Sequence, residues 1–312
     1  MSGSVLVSMG RFTDQFVAAL RAQLPDEEIV PFPGRPPTRE PEILAAVAGV
    51  DGLDPAALKP TVRWIHMMGS GIDGFPFEVL EGRVLTCSKG ATSVPIAEYV
   101  LAVMLAHEKR LPEEWLSQPP AVWNEPAGRP LGGLAGATLG LVGVGAIGTE
   151  VASRALAFDM EVIAHRRSAS PMPLQEMRAG SLADVLAAAD HLVISAPATA
   201  ETHHLIDHRA LALVKRGLHL VNVARGSLVD SDALLAALDE GRVDRASLDV
   251  AEGEPLPAGH PLYSHPGVRL TPHLSHGSTR SPNRSVEMFA RNLARWRAGA
   301  TLEGLVDPTL RY

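Results

Sequence analysis

The stretch "TLGLVGVGAIGTEVASRAL", residues 138–156, limits the possible folds of this chain more than any other. An apolar run ends in a loop with glycines at 143, 145 and 148, and an alanine-bearing helical segment follows at once. The spacing has a mechanical reason. Gly143 permits a tight turn, Gly145 lets backbone approach a pyrophosphate, and Gly148 lets helix and strand pack closely. The first helical amides, those of Ala146, Ile147 and Gly148, have no partner inside the helix and suit a phosphate. With the next apolar run, "MEVIAH", the segment makes one βαβ unit, so the sequence predicts a parallel sheet that holds a dinucleotide.

Strand-like and helix-like runs alternate on both sides of this unit. "SVLVSM", "DQFVAALRAQL", "VRWIHMM" and "IAEYVLAVMLAHEKRL" precede it. From residue 138 the strand candidates are "TLGLVGVG", "EVIAHR", "HLVISAP", "LHLVNVA", "RASLDV" and "VRLTPH", with helices predicted over 146–157, near 181–189, near 208–215 and over 230–240. Six strands in this rhythm, with the alternation before them, predict an α/β fold of two doubly wound, Rossmann-like parallel-sheet domains. The amphipathic run "SVEMFARNLARWRAG" near the end carries the chain back to the first domain. The expected division is therefore 1–95 with 284–312 for a split substrate domain, and 96–283 for the dinucleotide domain. Between 117 and 137, "SQPPAVWNEPAGRPLGGLAGA" breaks the pattern and reads either as a surface loop or linker, or as an arm over a neighbouring subunit packed through Trp123.

Hydrophobic residues make up 46% and charged residues 20%, enough apolar material for full cores. A formal charge of −7 and the lack of a basic run argue against nucleic acid as a partner. One cysteine, Cys87, leaves no internal disulfide framework and fits a reducing compartment. The start, "MSGSVLVSMG", has neither a basic leader nor a long apolar run, and no other stretch reaches the roughly 18 apolar residues of a membrane helix. A cytoplasmic protein is expected.

The strand after the glycine loop ends in Arg166, Arg167 and Ser168. About 20 positions past the first glycine, an acid commonly bonds the adenosine ribose. Two guanidiniums and a hydroxyl suit a 2′-phosphate instead, and one charge-assisted bond, worth roughly 1.5–3 kcal/mol, shifts preference tenfold or more. NADP(H) is expected over NAD(H).

Three later strands lead into "VNVARGSLVD", "LDVAEGEPLP" and "LTPHLSHGS", which bring Arg225, Glu254 and His273 to the carboxyl edge where such sheets bind ligands. Hydride transfer at a 2-oxo or 2-hydroxy acid needs a cation for the acid, a proton donor near neutral pH, and a partner that orients it. Arginine, histidine and glutamate match these needs. His276, three residues after His273, lacks a carboxylate or cysteine to complete a ligand set, so no metal is expected.

In "MMGSGID", "LGLVGVGAIG", "APATAETHHLI", "LVNVARGSLVD", "LDVAEGEPLP" and "LTPH", in that order, the chain resembles the D-isomer-specific 2-hydroxyacid dehydrogenases over essentially its whole length. The resemblance implies Arg225 as substrate clamp, His273 as acid/base and Glu254 as its partner. It also implies substrate-binding amides at Ser70 and Gly71, and a cofactor lined by Pro197, Thr202, Ala224 and Asp249. Members of the family are commonly dimers. Arg166 places the chain with the NADP-preferring branch, which includes glyoxylate and hydroxypyruvate reductases. Ala251 stands where relatives carry a bulkier residue, and "SHGS" follows His273 where small apolar residues are common. Glu254 argues against the related formate dehydrogenases, which pair their histidine with glutamine. Phosphite dehydrogenases share the arginine, glutamate and histidine set, and dinucleotide-sensing corepressors share the fold; both readings stay open at this level. The run "WIHMMGSGIDGFPF" is expected to supply pocket wall, through His66, Met67 and Met68, or else a buried strand.

Overall fold

A computed structural model describes residues 3–47, 53–111, 130–168, 170–279 and 283–309. Most of the 117–137 segment, Trp123 included, lies outside the described residues. The chain forms two compact units, Met1–Thr92 with Ser278–Tyr312, and Ser93–Gly277.

In the first unit, β1 (Ser4–Ser8), α1 (Thr13–Gln23), β2 (Ile29–Pro31), β3 (Pro41–Ala46), β4 (Trp64–Met67) and β5 (Val84–Cys87) build a five-stranded sheet of order β2-β1-β3-β4-β5. Every pair in it is parallel. Its strands are apolar on both sides, as a sheet covered on both faces requires. One face carries Val5, Val7, Ile43 and Trp64, and the other Leu6, Leu44, Ile65 and Met67. The last helix of the chain, Arg284–Arg297, closes the first face through Val286, Phe289 and Leu293, and Phe289 stacks on Trp64 at 5.3 Å. His66, Met67 and Met68 are buried in this packing. His66 bonds Thr86 and Ser88, and burial pushes its imidazole down to about 3. Met67 thus lies in a buried strand, with Met68 buried directly after it.

The second unit opens with α2 (Ser93–Glu108), followed by β6 (Thr138–Val142), α3 (Ala146–Leu156), β7 (Glu161–His165), β8 (Met177–Ala179), α4 (Leu182–Ala188), β9 (His191–Ile194), α5 (His208–Ala212), β10 (Leu218–Asn222), α6 (Ser231–Asp239), β11 (Val243–Leu248) and β12 (Val268–Leu270). The sheet order is β12-β11-β10-β9-β6-β7-β8, again parallel throughout. Six of these seven strands match the sequence expectation; the seventh, β8, is a three-residue edge strand. Alternation along each strand sorts the helices. Leu139, Leu141, Val193 and Val221 pack with α2 and α3, while Val142, Leu192, Ile194 and Leu220 pack with α4, α5 and α6. The chain order reverses between β6 and β9, which opens a crevice at their carboxyl ends. Among the described residues no helix is long and apolar enough to cross a membrane.

Candidate active site

At that reversal the glycine loop leaves β6. Gly143 adopts φ +101°, and a side chain there would meet Ala196 N at 2.5 Å, so only glycine serves at this turn. A side chain at Gly148 would meet Gly143 O at 2.4 Å, whereas one at Gly145, the cap of α3, would meet open space. Tight packing on one side and open ground on the other is what a pyrophosphate cradle requires, with the first-turn amides of Ala146, Ile147 and Gly148 facing it. Ser195 Oγ donates to Gly143 O at 2.9 Å and ties the loop to the end of β9. Beyond it, Thr202 Oγ1 donates to Pro197 O at 2.8 Å and holds the 197–202 loop in shape.

Arg166 follows β7 directly. Its Nη1 donates to Pro171 O at 3.1 Å, while its buried Nε has no hydrogen-bond partner among the described residues. A buried donor without an acceptor is costly unless an anion arrives. Arg167 meets Glu201 at 3.3 Å, with both side chains mostly exposed. Such a surface pair is worth at most about 1 kcal/mol and yields readily to a phosphate. Ser168 is exposed beside them.

Arg225 stands three residues past β10. The turn that carries it is built by Asn222, whose Oδ1 accepts from Ala224 N–H at 3.0 Å and whose Nδ2 donates to Arg225 O at 2.9 Å. Arg225 Nη1 also donates to Ala224 O at 2.6 Å, which directs the guanidinium. The next residue must be glycine, because a side chain at Gly226 would lie 1.9 Å from the carbonyl carbon of Ala251. The loops after β10 and β11 therefore run in backbone contact.

His273 follows β12 in left-handed backbone, φ +53°, a conformation costing on the order of 1–3 kcal/mol outside glycine. Asp249 holds it there. The Asp249 carbonyl accepts from His273 N–H at 2.9 Å, and its buried carboxylate accepts from Thr271 Oγ1 at 2.6 Å, Leu274 N–H at 2.9 Å and Ser275 N–H at 2.9 Å. Because Thr271 spends its hydroxyl proton on Asp249, Tyr99 of α2 must be the donor in the 2.8 Å contact with Thr271 Oγ1. Burial pushes the Tyr99 phenol up and keeps it protonated. At the tip, His273 Nδ1 lies 3.0 Å from Glu254 Oε2, while Glu254 Oε1 accepts from Ala251 N–H at 3.2 Å. His273 is about half-exposed and Glu254 about one-third.

The glycine loop, Arg166 to Ser168, Pro197, Thr202, Ala224, Arg225, Asp249, Glu254 and His273 thus all belong to the second unit and border the carboxyl edge of its sheet. Ser70 and Gly71 belong to the first unit, on the loop leaving β4, where Ser70 Oγ donates to Ser88 O at 2.9 Å. Asn222, Thr271 and Tyr99 were not singled out from the sequence. An asparagine closing a strand just before the arginine turn was a readable signal; the Tyr99 contact joins residues 172 apart and was not. His276 lies with its ring centroid 6.1 Å from that of His273.

Residues 101–275 match the family model for the D-isomer specific 2-hydroxyacid dehydrogenase NAD binding domain. Glyoxylate reductase of Thermofilum pendens is 33% identical over 293 residues, 88% of this chain and 85% of that protein. A D-isomer specific 2-hydroxyacid dehydrogenase from Xanthobacter autotrophicus Py2, solved with NADPH and MES, superposes with a TM-score of 0.86 at 26% identity, covering all of both chains. An NADPH-dependent glyoxylate/hydroxypyruvate reductase from Sinorhizobium meliloti, solved with NADP and malonate, gives 0.78 at 27% identity, covering 99% of this chain and 98% of that one. The chain belongs to the D-isomer-specific 2-hydroxyacid dehydrogenase family, nicotinamide-dinucleotide oxidoreductases of 2-oxo and 2-hydroxy acids.

Proposed function

We propose that this protein reduces a small 2-oxo acid of the glyoxylate and hydroxypyruvate class to its D-2-hydroxy acid with NADPH. The observation that carries the reading is the His273–Glu254 pair at 3.0 Å, beside the edge where Arg225 is aimed by its own turn. The dihydronicotinamide, when bound, supplies the hydride. Arg225 offers a planar fork to the carboxylate and carbonyl oxygens of the acid and draws charge onto the carbonyl oxygen. Glu254 holds Nδ1 of His273 and fixes the ring, so Nε2 is the atom that gives a proton to that oxygen. Asp249, through its bonds to the 271–275 segment, is a positioning residue for this histidine.

The choice of NADPH rests on Arg166, Arg167 and Ser168. The unpartnered Nε of Arg166 suits a 2′-phosphate, and neither arginine would repel it as an acid would. Oxidation of NADPH and of NADH, followed with glyoxylate, hydroxypyruvate, pyruvate and phenylpyruvate, tests the reading. Faster turnover with NADPH on the two smallest polar acids is expected. Binding of NADPH with no turnover on any oxoacid would instead mark a dinucleotide sensor. Arg166→Asp is expected to shift the NADPH:NADH ratio of kcat/KM by about tenfold or more toward NADH, the equivalent of one charge-assisted bond; an unchanged ratio overturns the phosphate assignment.

A further inference from the structure

Away from the Arg225–His273 machinery, two successive histidines meet a single carboxylate. The segment after β9 carries His203 and His204, and the segment after β11 carries Glu252. His203 Nε2 lies 3.3 Å from Glu252 Oε1, and His204 Nε2 lies 2.8 Å from Glu252 Oε2. The imidazoles stack at 4.0 Å between centroids with 28° between planes, so they present their Nε2 edges side by side. His204 sits in left-handed backbone at φ +49°, secured by its N–H donating to Ser227 O at 2.8 Å. That conformation is unfavourable for a side-chain-bearing residue, and here it aims the ring at Glu252.

Charge and second contacts point the same way. Asp230 Oδ2 faces His204 Nδ1 at 3.9 Å, the side of the ring that a carboxylate occupies behind many metal-bound histidines. Asp207 adds to the negative field, so three carboxylates bear on this histidine. The distances also fit. An ion with donors at roughly 2.0–2.1 Å in tetrahedral array separates neighbouring donors by roughly 3.3 Å. The candidate donor atoms of His203, His204 and Glu252 all lie within 4.8 Å of one another, so small side-chain rotations bring them to that spacing. A groove lined by Ala198, Thr199, Ala200 and His203 gives access from solvent.

We propose that His203, His204 and Glu252 form a three-ligand site for a divalent transition-metal ion of the zinc, cobalt and nickel class, with Asp230 orienting His204 from behind. Two imidazoles and one carboxylate select these borderline ions over calcium or magnesium, which prefer oxygen alone. The fourth position is open to water. The ion takes the place of the direct contact between Nε2 of His204 and Glu252. Glu252 lies two residues before Glu254, so the ion braces the segment that supports His273.

Titration of the chelator-stripped full chain with Co²⁺, read by visible absorption and by calorimetry, tests this. One saturable Co²⁺ per chain is expected, displaced by Zn²⁺. His203→Gln and Glu252→Gln should each weaken it by about tenfold or more, and Asp230→Asn by a smaller factor. His203 is more than half exposed, so its variant folds, and circular dichroism verifies each protein. His276→Gln serves as the control with unchanged binding. No saturable Co²⁺, or an affinity that survives both His203→Gln and Glu252→Gln, overturns the proposal, the latter because the ion then sits on other histidines.

Discussion

The two ends of the seven-stranded sheet use histidine in opposite ways. At the carboxyl ends, His273 stands about half-exposed on a left-handed turn with one carboxylate for company. At the amino ends, His191 opens β9 and His219 lies directly across from it in β10, both buried. Their Nδ1 atoms are 3.0 Å apart, His219 Nε2 is 2.9 Å from Ser247 Oγ, and His191 Nε2 is 3.2 Å from Glu108 Oε1. The ring of His107, from the end of α2, stacks on His219 at 4.4 Å. One proton arrangement satisfies these contacts: Ser247 donates to His219, His219 to His191, and His191 to Glu108. Burial pushes His107 and His219 down, toward the neutral form. In the proposed mechanism the same side chain carries a proton where water and substrate reach it; where they do not, it is a fixed polar connector.

The contrast breaks first at His273. Replacing it with asparagine should lower kcat by roughly 10²–10⁴-fold, the usual worth of a general acid, with little change in the melting temperature. A large stability loss with kcat intact would reverse the roles assigned to the two ends. Arg225→Gln should cost roughly ten- to a hundredfold in kcat/KM through one lost charge-assisted bond, read in the same NADPH assay. At the other end, Ser247→Ala leaves His219 Nε2 buried without its partner. It should cost roughly 1–3 kcal/mol in denaturant unfolding while kcat stays put.

The smallest effect is a slope. His107 and His219 have folded values below their unfolded value, so below about pH 6.5 the unfolded chain binds more protons, and stability falls as the solution is acidified. His66, at about 3, extends the same trend downward. His204, held up by its bond to Glu252, acts in the opposite sense, but its exposure discounts it. Melting temperature measured from pH 7 to pH 5 should fall, and His107→Phe should flatten the fall. A flat profile in the parent protein would show that the buried histidines take up protons without cost.

Legibility in the sequence followed the range of the interactions. The glycine loop was readable because its constraint is local, and Arg225, Glu254 and His273 because each follows a strand within a short signature. The strand β8 was not, since two of its three residues are exposed and leave no alternation to detect. Nor was the link between His191 and His219, which depends on the register of two strands 28 residues apart. Asp249 is visible as an acid after a strand, yet its four bonds to the histidine segment require β11 and β12 to be neighbours.

The backbone contact at Gly226 bears on any effort to retune this molecule. Since the peptide after the arginine rests on the peptide of Ala251, a bulkier residue at 226 would wedge apart the two segments that carry cation and acid. Ala251 is different: it is only partly buried, and it stands where the family resemblance has a bulkier residue. Libraries aimed at new oxoacids should therefore vary position 251 and leave 226 alone, so that selectivity is altered without detuning the hydride step.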